Sequence, residues 1–562
     1  MEILNTRRIT GPSLFTELPG AILEVDVPTA RQDEAVQVWE TNVRRYLNAV
    51  GWKNATTLHR KYENGISLYF TAPIDALYAA CEVNEAAWHL TVSDMNDTPS
   101  GSFGDDVARL KNEITAELNP SILALKEAAQ TNSVRFLQAD EMVSVGTGTG
   151  SQTFDVDKIP DPSELDWEKI HDVPVILITG TNGKSTTVRL LESILSEAGL
   201  TPGASSTDGI RVNKKTIEAD DYSGPEGARA TLRNENISSA VLEIARGGIL
   251  RRGMPVEDVQ AAIVTNVAED HFGEWGVNSL PEMVETKFVV RKALKNDGLL
   301  ILNADDQGCV DFGKNVSETV CWFSLDPQNP MVNRHKKCGG RSAYLDRGQI
   351  IYANGTEEET IGHVNDFPIA MNGLSRHNIL NCLGAILLAK SLKIKKSVIF
   401  NALSTFGTSY QDNPARGNIF KKDGSTIVVD FAHNPHGLSA IIDMVSQMEG
   451  KRKLILLGQA GDRSNEDIGD LVDVALGLNP HHVVVCEIPK YIRGREEGEI
   501  PNLIKSYFMD QGIQESSIII EKSIYTGVLS ALKWMEPGDL LLLLALDQKE
   551  ECIEAIQNFC EA

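Results

Sequence analysis

The chain has 562 residues, 42% hydrophobic and 23% charged, a composition that predicts several apolar cores, roughly three or four domains by length, and no long disordered tract. A formal charge of -25 at pH 7 argues against nucleic acid or an anionic membrane as the main partner, because most of the surface repels both. The eight cysteines show neither a CxxC pair nor zinc-site spacing, the opening MEILNTRRITGPSLF has no apolar h-region, and the longest apolar run, Leu540 to Leu546, is too short to cross a bilayer. These features point to reduced thiols and a cytoplasmic protein.

From Gly20 to about Gln138, strand-like runs such as AILEVDV and GISLYFTA mix with helical patterns over Val36 to Val50, Ile74 to Leu90 and Val107 to Ala128, predicting a small mixed α/β domain. The following VGTGTGSQTFDVDKIPDPSELDW is rich in Gly, Pro, Ser and Asp and reads as a linker, which puts a boundary near residue 165. Its glycine run, Gly146 to Gly150, precedes no helical pattern and is not read as a phosphate loop. Next, VPVILITG, a helix over Ser185 to Ala198, SSAVLEIA, VQAAIVTN, a helix through Leu280 to Leu294 and GLLILNAD alternate as in a mainly parallel sheet with helices on both faces. A second series begins near Asn418 with STIVVDFAH, KLILLGQAG, HHVVVCEIP, SSIIIEKS and GDLLLLLAL, each followed by a helical stretch, and predicts a Rossmann-like C-terminal domain. The expected architecture is α/β in three domains: residues 1–165 including the linker, 166–409 and 410–562.

The strand VPVILIT runs directly into GTNGKST (Gly180, Thr181, Asn182, Gly183, Lys184, Ser185, Thr186), and a helical pattern through Val188, Leu191 and Ile194 follows at once. Strand, glycine loop and helix N-terminus are the parts of an anion cradle: backbone N–H groups face phosphate oxygens, Lys184 adds a mobile cation, and the Ser185 hydroxyl can hold Mg²⁺. The first glycine stands three residues before the second, so the loop is shorter than the GxxxxGK[ST] form.

Downstream stand LEIARGGILRRG (Leu242 to Gly253), TNVAEDH (Thr265 to His271), the helical lysine of ETKFVV, LNADD (Leu302 to Asp306), SRHNILN (Ser375 to Asn381), PARGN (Pro414 to Asn418) and DFAHNP (Asp430 to Pro435). In this order and at these intervals the set resembles the Mur ligase superfamily, which includes the peptidoglycan ligases, folylpolyglutamate synthetase and the C-terminal half of cyanophycin synthetase. The resemblance implies an ATP site with two Mg²⁺ ions, Ser185 and Glu243 holding the ion that bridges the β- and γ-phosphates and His271 lying by the second. Asn266, in the same turn as His271, would help bind metal or nucleotide. Lys287 reads by itself as a solvated helix residue, and the resemblance implies instead that CO₂ carbamylates it into a metal ligand. Asn303, Asp306 and Asn378 match nucleotide positions, Arg416 and Asp430 would reach ATP when the C-terminal domain closes, and His433 and Asn434 would stand near the entering amine.

LEIARGGILRRG, STDGI, GQAGDRSNEDIGD (Gly458 to Asp470), YIRGREEGEIP (Tyr491 to Pro501) and TGPSLFTELPGAILEVDV resemble cyanophycin synthetase more than the peptidoglycan enzymes. One departure matters: a linker stands where that enzyme carries an ATP-grasp domain. The resemblance implies an ATP-dependent amide ligase that activates a carboxylate as an acyl phosphate and couples it to an amino acid, acting on a peptide or polymer. A separate ATP-grasp ligase is then a candidate partner, and the N-terminal domain a candidate acceptor-binding or docking module. Arg463, Arg493 and Arg495 are candidates to grip the carboxylate of the amino acid, and Asp462, Glu466 and Glu497 a basic side chain; as solvated loop charges they would do neither. The intact motifs weigh against an ATP-binding scaffold for another ligase, while a P-loop kinase that releases a phosphorylated product is an enzyme alternative that hydroxylamine trapping would separate. The cyanophycin-like stretches weigh against a folylpolyglutamate-type enzyme, and the oligomeric state stays open.

Overall fold

The computed structural model describes residues 1–270 and 272–561. They form two compact units: Met1–Leu345 with Ile351–Thr360 and Leu383–Ile399, and Asp346–Ile350 with Ile361–Cys382 and the chain from Phe400 on.

The first unit opens with an antiparallel sheet of β1 (Ile3–Ile9), β2 (Gly20–Asp26), β3 (Thr57–Tyr62) and β4 (Gly65–Thr71) in the order β1-β2-β4-β3. Helices α1 (Gln32–Val50) and α2 (Leu77–Met95) cover one face, where Trp39, Tyr46, Phe70 and Trp88 are buried. The buried Asn84 locks this core, accepting from the Trp39 indole at 3.0 Å and donating to the Leu68 carbonyl at 3.0 Å. The helix expected over Val107 to Ala128 is in fact two, α3 (Phe103–Glu117) and α4 (Pro120–Thr131). Pro120 cannot continue a helix but suits a first turn, and the Asn119 side chain caps the new start by accepting from Ser121 N at 3.1 Å.

The expected linker is also corrected. Part of it is a strand, β7 (Gln152–Asp155), which joins β5 (Phe136–Gln138) and β6 (Met142–Val145) just before it in an antiparallel sheet, and Val145 shares a core with Val143, Ile170 and, from α4, Ile122 and Leu125. Strands of three or four residues are too short to show a period of two against so many turn residues. In the glycine run, the amides of Gly146, Thr147, Thr149 and Gly150 donate to the carbonyls of Arg135, His171, Ile237 and Thr147, so these amides are not available to an anion. Arg135 fastens the segment by donating to the carbonyls of Glu257 and Val173 at 2.9 and 3.1 Å.

The central sheet continues with β8 (Val175–Thr179), β9 (Pro202–Ser206), β10 (Gly209–Val212), β11 (Lys215–Glu218), β12 (Ser239–Glu243), β13 (Val259–Val264), β14 (Leu294–Asn303), β15 (Thr319–Ser324), β16 (Arg341–Asp346), β17 (Gln349–Asn354) and β18 (Glu357–His363). Its order is β11-β10-β9-β12-β8-β13-β14-β15-β16-β17-β18, parallel from β9 to β16. Helices α5 (Lys184–Glu197), α6 (Pro225–Leu232), α7 (Arg246–Arg252) and α8 (Leu280–Lys287) lie among these strands. The helix expected through Leu294 stops at Lys287, and a 3₁₀ turn over Phe288–Ala293 leads into β14. Phe288, Val289, Val290 and Ala293 are all buried, so a one-sided apolar stripe ends there.

In the second unit, β19 (Asn418–Lys422), β20 (Ser425–Asp430), β21 (Lys453–Gly458), β22 (His482–Cys486), β23 (Ile518–Glu521) and β24 (Leu540–Leu544) form a sheet of order β19-β20-β24-β21-β22-β23. Only the β19–β20 pair is antiparallel, and the alternation of strands with helices is as expected. All five residues of β24 are buried, as suits a central parallel strand. The eight cysteines are free thiols: five are buried, Cys81 and Cys560 are half-buried, and Cys338 is exposed. Burial pushes the Cys321 and Cys382 thiols up to about 12. Among the described residues no helix is long and apolar enough to cross a membrane.

Arg135→Met leaves buried carbonyls unmet and should cost roughly 2–4 kcal/mol. Limited proteolysis should then cut between residues 134 and 172 much faster than in the wild type, whereas a true linker would be cut readily in both.

Candidate active site

The ends of β12, β8 and β13, three neighbouring parallel strands, bring Glu243, Gly180 and Thr265 to one edge of the sheet, where ligands of such sheets bind. Gly180 has φ +145°, and a Cβ there would lie 1.9 Å from Thr265 Oγ1. No other residue fits. Beyond it the loop and the Thr265–Asn266 turn are cross-bonded. Thr181 N donates to Asn266 O at 2.9 Å, and Asn182 N to Asn266 Oδ1 at 2.9 Å. In return Asn266 Nδ2 and Thr265 Oγ1 donate to Asn182 O at 2.9 and 2.6 Å. Gly183, at φ +85°, then turns the chain into α5, whose first amides have no intrahelical acceptor and carry the positive end of the helix dipole. Lys184 Nζ donates to Thr181 O at 2.9 Å, and Ser185 Oγ stands 3.2 Å from the Thr207 hydroxyl.

Glu243 is fully buried at the end of β12. Lys287, the last residue of α8, is 4% exposed and donates from Nζ to the Gly180 carbonyl at 3.0 Å, which rules out the solvated reading of this lysine. Burial pushes its amine down to about 7, with the Lys184 charge adding to the effect and Asp270 opposing it. Asn303 and Asp306 brace the loop. Asn303 Nδ2 donates to Thr265 O at 3.0 Å, while Asp306 accepts from Val267 N at 2.8 Å and, as the cap of Gln307–Gly313, from Cys309 N at 2.7 Å. His271 lies outside the described residues. Among the described residues no three His, Cys, Asp or Glu side chains group as a metal site.

The remaining candidates belong to the second unit. Asn378 is buried, and its Oδ1 accepts from Asn381 Nδ2 at 3.2 Å. Asp430 closes β20; burial pushes its carboxyl up to about 6 against the pull of Arg416 and of backbone amides, among them Ala432 N at 2.8 Å. The Arg416 guanidinium lies 5.1 Å from the centre of the Phe431 ring. His433 Nδ1 donates to Phe431 O at 3.1 Å, and Asn434 caps Pro435–Val445 through Gly437 N at 2.8 Å. Asp462 is paired with Arg493, Arg463 is buried, and Glu466 and Glu497 are exposed. Arg495 stitches its own loops, donating to the carbonyls of Gly461 and Arg463 at 3.2 and 2.9 Å and to Glu499 Oε1 at 2.6 Å. Sequence reasoning missed Thr207 and Thr265. Each was visible as a hydroxyl residue just past a strand, but nothing in one chain ties it to the loop.

Residues 178–389 match the Mur ligase middle domain and residues 415–545 the Mur ligase glutamate ligase domain. The chain belongs to the Mur ligase family. It is 35% identical over 386 residues to cyanophycin synthetase of Synechocystis sp., an alignment covering 68% of this chain and 44% of the relative, and 33% identical over 390 residues to that of Geminocystis herdmanii, covering 69% and 44%. The chain thus spans less than half the length of these relatives. The fold is shared with E. coli FolC in complex with ADP, at 16% identity and a TM-score of 0.50, over 68% of this chain and 90% of that one.

Asn266→Ala removes two of the four bonds that shape the loop. ADP affinity, measured by calorimetry, should fall about tenfold or more, close to 1.4 kcal/mol, with little change in circular dichroism.

Proposed function

We propose that this chain is an ATP-dependent, ADP-forming amide ligase of the cytoplasm, which activates a carboxylate of an acidic peptide or polymer and couples it to an amino acid. The carrying observation is the braced Gly180–Thr186 loop with buried Glu243 and Lys287 at its two sides. The names of the cyanophycin synthetase relatives favour this acceptor class, and their greater length leaves room for a separate ATP-grasp ligase as a partner.

The triphosphate lies at the Gly183 turn and the start of α5, since the Thr181 and Asn182 amides are taken by Asn266, with Lys184 at the γ-phosphate. The acceptor carboxylate attacks that phosphorus, the bond to the β-phosphate oxygen breaks, and ADP leaves an acyl phosphate. The amine of the amino acid attacks the acyl carbon, loses a proton and displaces inorganic phosphate. Lys184 is held in advance where negative charge builds, so it lowers the barrier without reorganisation. The buried carboxylate of Glu243 and the hydroxyl of Ser185 are hard oxygen donors that fit Mg²⁺, an ion that takes few protein ligands and completes its shell with phosphates and water. Bound there, Mg²⁺ would neutralise phosphate charge. His271 is assigned to a second ion. Asn378, Arg416 and Asp430 are assigned to the nucleotide, and His433, Asn434, Asp462 and Arg463 to the amino acid.

Lys287 fits carbamylation by CO₂. An amine held near 7 is half neutral at neutral pH, the form that adds to CO₂ with loss of a proton, and the product would turn a repulsion with Lys184 into an attraction.

Hydroxylamine should trap a hydroxamate from the acyl phosphate when ATP, an acidic peptide and enzyme are mixed; ATP hydrolysis without hydroxamate would remove the ligase reading. Lys184→Ala should keep its fold and lose at least about a hundredfold in turnover.

For Lys287, the alanine and arginine variants should be nearly inactive and the glutamate variant should recover part of the activity. CO₂-depleted wild type should regain turnover on adding bicarbonate at pH 8, and this response should fade as pH falls below about 7, where the amine is protonated. An active Lys287→Arg enzyme indifferent to bicarbonate would return Lys287 to a packing role.

A further inference from the structure

The N-terminal sheet grips the stretch of chain that leads to Lys287. Arg60 on β3 pairs with Glu282 Oε1 at 2.9 Å, in the first turn of α8. The other oxygen of Glu282 accepts from Asn278 N at 2.8 Å and Ser279 Oγ at 3.0 Å, so this one carboxylate both shapes the helix start and ties it to the sheet. Two residues beyond Arg60, the Tyr62 ring covers Gly276 so closely that a Cβ there would lie 2.4 Å from it. Next in the chain to Gly276, Trp275 sits at φ +48°, a strained backbone for a bulky residue, with the guanidinium groups of Arg7 and Arg251 at 5.2 and 5.5 Å from its ring.

Arg7 is itself fixed. It is 5% exposed and bonded at 2.6 Å to Glu24, which is 2% exposed and also accepts from Ser67 Oγ at 2.7 Å and Tyr62 OH at 3.1 Å. A buried pair of this kind adds little net stability, because desolvation offsets the attraction, but it fixes the position of the groups that it joins. Here it sets Arg7 over Trp275 and Tyr62 over Gly276. The other edge of the sheet, at the end of β1, is sewn to the end of α7, the helix after Glu243, by Thr10 N to Arg252 O at 2.9 Å and Met254 N to Pro12 O at 2.7 Å.

We propose that the N-terminal sheet is a positioning element of the ATP site, in which Arg60, Tyr62 and Arg7 hold residues 274–282 and so set the approach of α8 and Lys287 to the phosphate loop. The catalytic part of this inference rests on the ligase reading; the mechanical part does not. From Glu282 to Lys287 the helix advances about 7.5 Å, so a tilt at its start is carried to the Lys287 amine at its end. Arg60 touches no reacting group and acts only through this helix.

The test compares full-length Arg60→Met, Arg60→Lys and Glu282→Gln with Arg8→Met. Arg8 lies on the same sheet and pairs with Asp140 at 2.8 Å, away from residues 274–282. Arg60→Met and Glu282→Gln should speed hydrogen exchange over residues 274–290 about tenfold and lower kcat by a similar factor, with KM for ATP within about twofold of wild type. Arg60→Lys, which keeps the charge, should recover much of both, and Arg8→Met should leave both at wild-type values. Equal exchange and equal kcat in Arg60→Met and Arg8→Met would overturn the proposal, as would a lowered kcat with exchange unchanged over 274–290. If Arg60→Met does not fold, Glu282→Gln decides. A wild type without ligase turnover would sink the ligase reading alone, since the exchange result stands by itself.

Discussion

The exchange of hydrogen bonds between Asn182 and the Thr265–Asn266 turn is the constraint on which the proposed ATP site depends. A tight turn such as Gly180–Thr186 brings several backbone amides and carbonyls out of the sheet ladder, and a buried carbonyl without a donor is costly. The Asn182 carbonyl takes two donors from the neighbouring strand end, and the Gly180 carbonyl takes the Lys287 amine. The shape of the loop is therefore fixed by residues about 85 to 107 positions away, before any ligand arrives. Asp306 extends the brace by one more strand, fixing the Val267 amide and the start of the next helix with the two oxygens of one side chain.

Most of the architecture was legible because parallel strands announce themselves. VPVILIT, AAIVTNV and LLLLLAL are apolar on both faces, and the turn residues after each strand mark the edge where ligands bind. The loop Gly180–Thr186 was legible for the same reason, as a strand, a glycine turn and a helix in immediate succession. What failed was short or locally ambiguous. The three-stranded sheet at residues 136–155 has strands too brief for periodicity, and Pro120 divided a helical pattern that propensity alone would join.

At the site, the sequence named residues but could not grade their surroundings. Asn303, Asp306 and Asn266 were expected near nucleotide or metal, and the structure gives each a bracing task that spacing along the chain does not reveal. Arg495 and Asp462 looked like candidates to grip an amino acid, and their hydrogen bonds run largely to their own loops. Lys287 moved the other way. A helical lysine is solvated by default, and only its burial against Gly180 shows an amine kept where its charged form is unfavourable.

The cysteine inventory has a practical side. A thiol shifted to about 12 presents almost no thiolate at neutral pH, so Cys321, Cys382 and their buried neighbours are poor targets for alkylating dyes and oxidants alike. Cys338, at the end of the helix Pro330–Lys337, is the one exposed cysteine among the described residues. A maleimide fluorophore would accordingly favour Cys338, with the half-buried Cys560 as the second site to block. Distances from Cys338 to a labelled nucleotide could then be read by energy transfer once Cys560 alone is replaced, leaving the buried cysteines in place.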